Sequence, residues 1–268
     1  MTSYGVERFV GMENFIIKTI RQGVSEEKSD PVTEEVPLTI DLNGSELATL
    51  LCSPTDWKNL VLGFLYTAGV MEDAAAIKTL TIDQERWKVY ADTAADFPPE
   101  MLFKRLYTSG CGKGIIFHNP MDLMYRLRLP DGLTMAAEAL PGLMKEFLTS
   151  SEEYRQTGGV HTAALVCGDQ TIVRDDIGRH NALDKVIGEG LQRKIDFSKQ
   201  AALTSGRISS EVVAKIIRCR IPILASAGAP TNQAVKIARD ANLTLLGFVR
   251  GQRMNIYSGE QRIIASPR

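Results

Sequence analysis

The sequence lacks most of the features that assign a chain of 268 residues to a class at a glance. It has four cysteines, Cys52, Cys111, Cys167 and Cys219, and no two of them stand at C-x-x-C spacing. That scatter excludes the disulfide framework of a small secreted domain and suits a reducing compartment. Its three histidines, His118, His161 and His180, stand at no familiar zinc spacing with the cysteines. The H-x-E and P-C-x-x-C pair of a zinc nucleoside deaminase is missing, as is the G-x-x-x-x-G-K-[ST] loop of a GTPase. A formal net charge of -1 supplies no global field for nucleic acid or an anionic membrane. No apolar run reaches the length of a membrane helix. Met12 to Ile20 is apolar in part, but Glu13 and Lys18 interrupt it and no small-residue cleavage site follows, so no signal peptide is expected. These absences together lead us to expect a cytoplasmic protein.

What is present is globular patterning. The length suits one large domain or two modest ones. A short helix over 12–20 and a flexible polar lead-in over 24–35 are expected first. Two strand-like runs then flank Asn43-Gly44, a hairpin signal. Ser53-Pro54 predicts a helix start, with Ser53 as N-cap, and that helix ends near Gly69. Strands at Lys78 to Ile82 and Trp87 to Tyr90 follow. The stretch 128–134 contains Pro130-Asp131-Gly132 and marks the candidate boundary. The expected division is an extension over 1–30, a smaller α+β domain over 31–131 and a second domain over 132–268. A helix at 134–149 opens the latter. Val160 to Cys167 and Thr171 to Arg174 flank Gly168-Asp169 as a second hairpin. Strands at 201–204, 221–224 and 243–248 then alternate with helices at about 179–191, 207–219 and 231–241. That alternation predicts an α/β domain whose sheet is covered on both faces.

The chemistry is expected where these strands end. Asp175-Asp176-Ile177-Gly178-Arg179-His180-Asn181, Ser205-Gly206-Arg207, Ala225 to Thr231 and Val249-Arg250-Gly251-Gln252-Arg253 each follow a strand. Ligands of open α/β sheets bind beyond strand carboxyl ends, and helix N-termini suit phosphate. Arg179, His180 and Arg207 sit in or beside helix first turns, where a cation opposes the macrodipole and an anionic ligand would explain it. Taken singly, each loop is a turn whose arginine could pair with Asp175, Asp176 or Asp184. Four such loops at one edge read as an anion site. Gly158-Gly159-Val160-His161 enters the first strand there; His161 is either a ligand contact or a satisfied, partly buried histidine. Cys111 lies among Gly110, Gly112 and Gly114, with Lys104, Arg105 and Lys113 close in sequence. Such a cysteine is either ordinary or an exposed, activated thiolate able to carry sulfur as a persulfide. Cys219, on an apolar helix face, Cys52 and Cys167 are expected to be structural.

Several of these stretches resemble one family. GGVHTAALV at 158–166, RDDIGRHNALDKVIG at 174–188, LTSGRISSEVV at 203–213, SAGAPTNQAVKIA at 226–238 and GFVRGQRMNIY at 247–257 are similar to the signature blocks of the formate dehydrogenase accessory sulfurtransferases (FdhD). EEVPLTIDLNG and PTDWKNLVLGFLYTAGVM resemble that family's N-terminal domain. The resemblance runs from about residue 31 to the end. It implies a three-layer αβα, cytidine-deaminase-like C-terminal domain beside a smaller α+β domain, in a cytoplasmic homodimer. It implies a sulfurtransferase that takes sulfur from a cysteine desulfurase onto Cys111. The acceptor would be the molybdenum bis(pterin guanine dinucleotide) cofactor, a bound substrate destined for a formate dehydrogenase or related molybdoenzyme. No catalytic metal, nucleic acid or membrane is expected. By the same resemblance Phe248, Val249, Arg250, Gly251, Gln252 and Arg253 form a cofactor-binding stretch, joined by Gly158, Gly159, His161, Arg179, His180, Asn181, Gly206 and Arg207. The family's loop commonly reads C-x-x-C. Here Gly114 takes the second place, so a single-cysteine carrier is expected, with a non-catalytic cofactor chaperone as the alternative.

Overall fold

The computed structural model describes residues 11–93, 127–168 and 170–265, apart from the side chains of Cys167 and Gln170. The described residues open with a two-stranded antiparallel ribbon, β1 (Met12–Arg21) and β2 (Val24–Thr33), in place of the helix and flexible lead-in expected there. The reason is local: Ile16, Ile17, Thr19 and Ile20 are β-branched and favour extended backbone, and Gln22-Gly23 turns the chain with both residues at positive φ.

The next unit is a four-stranded sheet ordered β4-β3-β6-β5, made of β3 (Val36–Leu42), β4 (Ser45–Cys52), β5 (Ile77–Asp83) and β6 (Lys88–Thr93). The Asn43-Gly44 turn joins its first two strands, with φ 52° and 79°. Leu38, Ile40, Leu50 and Val89 face helix α1 (Trp57–Thr67), whose Leu60, Val61, Phe64 and Leu65 complete the core. The helix does not start at Ser53. Ser53 N donates to Asp176 Oδ2 at 3.2 Å and Ser53 Oγ accepts from Ile177 N at 3.2 Å, so this serine joins the two units instead of capping a helix.

The second unit has a six-stranded sheet in the order β13-β12-β11-β10-β8-β9 among the described residues. Its strands are β8 (His161–Cys167), β9 (Gln170–Asp176), β10 (Ala201–Thr204), β11 (Ile223–Ser226), β12 (Thr244–Arg250) and β13 (Arg253–Ser258). Three strands, β10, β11 and β12, run parallel, while β8 and β13 pair antiparallel to their neighbours. Before the sheet come β7 (Met135–Ala136), α2 (Ala139–Ser150) and α3 (Glu152–Thr157). The helix expected from 134 thus starts five residues later, because Met135–Ala136 pairs with β14 (Ile263–Ile264) near the end of the chain. Pro141 then falls in the first turn of α2, where the absent N–H costs no helical bond.

Alternating side chains divide the sheet. Ala163, Leu165, Ala202, Leu224 and Leu245 face α4 (Arg179–Gln192), α5 (Ser210–Arg218) and α6 (Asn232–Asp240). Ala164, Leu203, Ile223, Ala225 and Leu246 face Leu140, Met144 and Phe147 of α2. The result is three layers with helices on both faces, as the burial of alternate residues requires. Leu129 already belongs to this core and its N–H donates to Ala241 O at 2.8 Å, so the chain has joined the second unit before Pro130-Asp131-Gly132.

The units meet where α1 crosses α4. A Cβ on Gly63 would lie 1.8 Å from Asp184 O, and one on Gly188 would lie 1.9 Å from Asn59 O, so the two backbones are in direct contact. Beside the crossing, Lys185 Nζ lies 2.7 Å from Asp176 Oδ2, both side chains fully buried, and Lys215 Nζ lies 2.6 Å from Asp184 Oδ2.

Candidate functional site

The strand register places one set of loops at one edge. Thr204 pairs with Ser226 across β10–β11, Ala225 with Leu246 across β11–β12, and His161 with Asp176 across β8–β9. The ends of β9, β10, β11 and β12 and the start of β8 therefore share an edge, where helices α4, α5 and α6 begin.

The loops there are tied to one another. Ser205 N donates to Thr162 O at 3.0 Å, and Thr162 N donates back to Ser205 Oγ at 3.0 Å. Ser226 Oγ donates to Gly206 O at 2.6 Å and accepts from Gly228 N at 2.9 Å. Phe248 N in turn donates to Gly228 O at 2.9 Å. Glycine is needed for these approaches: a Cβ on Gly206 would lie 3.2 Å from the Arg179 side chain and 3.4 Å from His161 Nδ1, and one on Gly228 would lie 3.2 Å from Gly206 O. These glycines let the loops close on each other, a packing role that access to a ligand alone does not describe.

His161, Arg179, His180, Ser205, Gly206 and Arg207 meet at the centre of the edge. His161 Nδ1 is 3.4 Å from Ser205 Oγ. Burial, with the charge of Arg179 second, holds its imidazole below the ordinary histidine range. Burial also pushes His180 down to about 3, with Lys215, Arg179 and His161 adding to the effect. Its Nε2 lies 3.2 Å from Glu211 Oε2 but without the alignment of a hydrogen bond. Burial raises the Glu211 carboxyl in turn. Near neutral pH both imidazoles are uncharged, so the edge offers neutral rings beside the guanidinium of Arg179 and the exposed Arg207. Such a group can orient a polar anion and hydrogen-bond to it.

The carboxylates expected as partners of these arginines have others. Asp176 holds Lys185, Asp184 holds Lys215, and Asp175 Oδ2 accepts from Ser151 Oγ at 2.7 Å. Asn181 is engaged in the frame: its Nδ2 donates to Leu51 O at 2.8 Å and to Asp176 Oδ1 at 2.9 Å. Gly158, in the left-handed region at φ 64°, ends α3, and Gly159 packs against Thr33.

Phe248 to Arg253 is not an open loop. Phe248, Val249 and Arg250 extend β12, Gly251-Gln252 turns at φ 62° for the glycine, and Arg253 starts β13, a strand the sequence did not indicate. Val249 is buried against the α2 layer. Phe248 has φ 53°, an uncommon value for a bulky residue, and a register shift falls there. The Arg250 guanidinium lies 5.6 Å from the centre of the Phe248 ring, and Arg250 and Arg253 are exposed.

Cys111 and its loop lie outside the described residues. Cys52 and Cys219 are buried free thiols; burial pushes Cys52 up to about 12 and Cys219 higher still, which suits structural cysteines and not nucleophiles. Sequence reasoning missed Glu211, and it placed Ser205 in a strand-end loop without giving it a role. An acid in the first turn of α5 reads as a complement to the helix dipole, and only the fold turns it toward His180.

Comparison with known proteins completes the picture. Residues 33–264 match the sequence model of the FdhD/NarQ family. The chain is 39% identical over 251 residues to the Geobacillus kaustophilus sulfur carrier protein FdhD, covering 92% of this chain and 95% of that one. It is 40% identical over 251 residues to the Bacillus pumilus sulfur carrier protein FdhD, covering 92% and 96%. In fold it is similar to the crystal structure of a Desulfotalea psychrophila protein assigned as a formate dehydrogenase accessory protein, with TM-score 0.78 and 24% identity over 94% of this chain and 99% of that one. A match that spans both units at this identity makes the chain a member of the FdhD/NarQ family.

Proposed function

We propose that this protein is a sulfurtransferase that takes sulfur from a cysteine desulfurase onto Cys111 and passes it to a molybdenum bis(pterin guanine dinucleotide) cofactor. The client would be a formate dehydrogenase or related molybdoenzyme, and the reaction is placed in the cytoplasm. The names of its relatives, sulfur carrier proteins and a formate dehydrogenase accessory protein, support this reading. The observation that carries the cofactor half of it is the strand-end edge. There Arg179 and Arg207, at or before the start of two helices, stand with His161 and His180 in a frame braced by Ser226 and Gly206. Guanidinium groups and helix N-termini suit the phosphates of a dinucleotide, and Phe248 with Arg250 supplies a ring and a cation at the same edge. The three-layer unit is read as a cytidine-deaminase-like fold put to binding, without that enzyme's zinc motif.

In the first step the Cys111 thiolate attacks the terminal sulfur of the desulfurase persulfide. The donor S–S bond breaks, a new one forms at Cys111 Sγ, and the donor cysteine leaves as a thiolate, so no external oxidant is needed. Gly114 stands where a second loop cysteine would relay or release the sulfur, and this favours one alternative, a chaperone that holds the cofactor without sulfur chemistry. Intact-protein mass spectrometry after mixing with cysteine and a desulfurase separates them. A gain of one sulfur atom that vanishes in Cys111→Ala supports the transferase; cofactor binding with no sulfur on Cys111 leaves the chaperone.

A further inference from the structure

Each imidazole at the strand-end edge has one nitrogen held by its neighbours. His180, in the first turn of α4, turns Nε2 toward Glu211 Oε2, 3.2 Å away in the first turn of α5. That nitrogen is buried and has no aligned hydrogen bond. A lone pair there would face a carboxylate oxygen and be repelled, whereas an N–H is attracted even without ideal alignment. Arg179 and Lys215 favour the ionised form of Glu211 against the burial that raises its carboxyl. Burial, together with the same two cations, keeps a second proton off His180. Lys215 does not compete for Glu211, because its ammonium donates to Asp184 and Thr67.

His161 is held at the other ring nitrogen. Its Nδ1 lies 3.4 Å from Ser205 Oγ. Ser205 Oγ already accepts from Thr162 N at 3.0 Å, and the one acceptor that the described residues bring to its own proton is His161 Nδ1. Nδ1 therefore accepts, and the hydrogen of the neutral ring sits on Nε2. The two remaining nitrogens, His161 Nε2 and His180 Nδ1, reach the surface of the edge and meet no polar partner among the described residues.

We infer that Glu211 and Ser205 fix both imidazoles in the Nε2–H tautomer, so that the edge presents one hydrogen-bond donor, His161 Nε2–H, and one acceptor, His180 Nδ1. Glu211 is then a positioning residue that acts through His180 without touching a ligand. The acceptor decides what the pair takes. A lone pair repels a phosphate oxygen, so His180 Nδ1 stands apart from the anion site of the arginines. A neutral group with a carbonyl beside an N–H, the lactam of a purine or pterin ring, offers what each nitrogen lacks. This assignment of the ligand rests on the cofactor reading proposed above; the tautomers do not.

Nitrogen-15 NMR of the histidine rings tests the tautomers on the ligand-free full chain. The sequence has three histidines, so His161→Gln and His180→Gln assign the signals. At neutral pH the wild type is expected to carry its hydrogen on Nε2 in both rings. Glu211→Gln keeps the volume but can turn an N–H toward the ring, and should bring the Nδ1–H form into His180 while His161 stays as it was. Glu211→Asp keeps the charge and should retain the wild-type pattern. A wild-type His180 with its hydrogen on Nδ1, or one unmoved in Glu211→Gln, overturns the inference. Calorimetry supplies the ligand arm. Glu211→Gln should weaken guanosine diphosphate about tenfold and leave inorganic pyrophosphate unchanged. Equal loss of both ligands, or of neither, removes the lactam from this pair. A wild type that binds neither sinks the cofactor reading, and the ring spectra still decide the tautomers.

Discussion

Helix α4 serves two regions that treat charge in opposite ways. On its inner side Asp184 and Lys185 lie in the junction with the first unit, each in a short lysine–carboxylate pair that is largely or wholly buried. At its N-terminus Arg179 and His180 belong to the strand-end edge, with neutral imidazoles and the exposed Arg207 nearby. One run of seven residues, Arg179 to Lys185, thus holds a frame and a candidate site. The junction cancels its charges internally, as burial demands. The edge keeps cations where a helix dipole alone would not place them.

Three measurements sharpen this contrast. Lys185→Met leaves Asp176 as a buried carboxylate without its cation and should cost about 3–5 kcal/mol in denaturant unfolding; a loss near zero would mean that the pair does not hold the junction. The second concerns pH. His180 takes up its proton near 6.5 when unfolded and near about 3 when folded. The unfolded state therefore binds more protons between these values, and stability is full above about 6.5 and falls as the pH drops through that window. Glu211, raised by burial, opposes part of this fall. His180→Gln should flatten the acid limb of stability against pH; an unchanged limb would assign it to other groups. The smallest stability effect is expected at the edge itself. Arg207→Ala should change unfolding by less than about 0.5 kcal/mol, yet weaken guanosine diphosphate binding about tenfold, by loss of a charge-assisted contact. Calorimetric titration checks it, and unaltered binding would remove Arg207 from the site.

Much of this was readable in the sequence because it is local. The Asn43-Gly44 hairpin, the strand at Ala201–Thr204 and the helices beginning near Arg179, Ser210 and Asn232 follow from turn chemistry and periodicity. The strand-end loops could be grouped from strand and helix alternation alone. The ribbon at Met12–Thr33 was misjudged because ValSerGluGluLys and its neighbours carry little strand signal of their own; they are extended because β1 pairs with them. Val249 and Arg250 were read as loop because the chain continues its strand through a register shift that no local pattern marks.

The sequence by itself determined the family, the α/β alternation and which residue types stand at the strand ends, since periodicity, turn residues and motif blocks are written along the chain. Tertiary structure alone decided that Asn181, Asp184 and Lys185 bind the two units together, that Glu211 faces His180, and that Ser53 bridges the units instead of capping a helix. Those roles depend on which groups are withdrawn from water together. A hydrogen bond between residues more than a hundred positions apart, or an ion pair between separate elements, leaves no local trace, whereas burial makes it obligatory once the fold has formed.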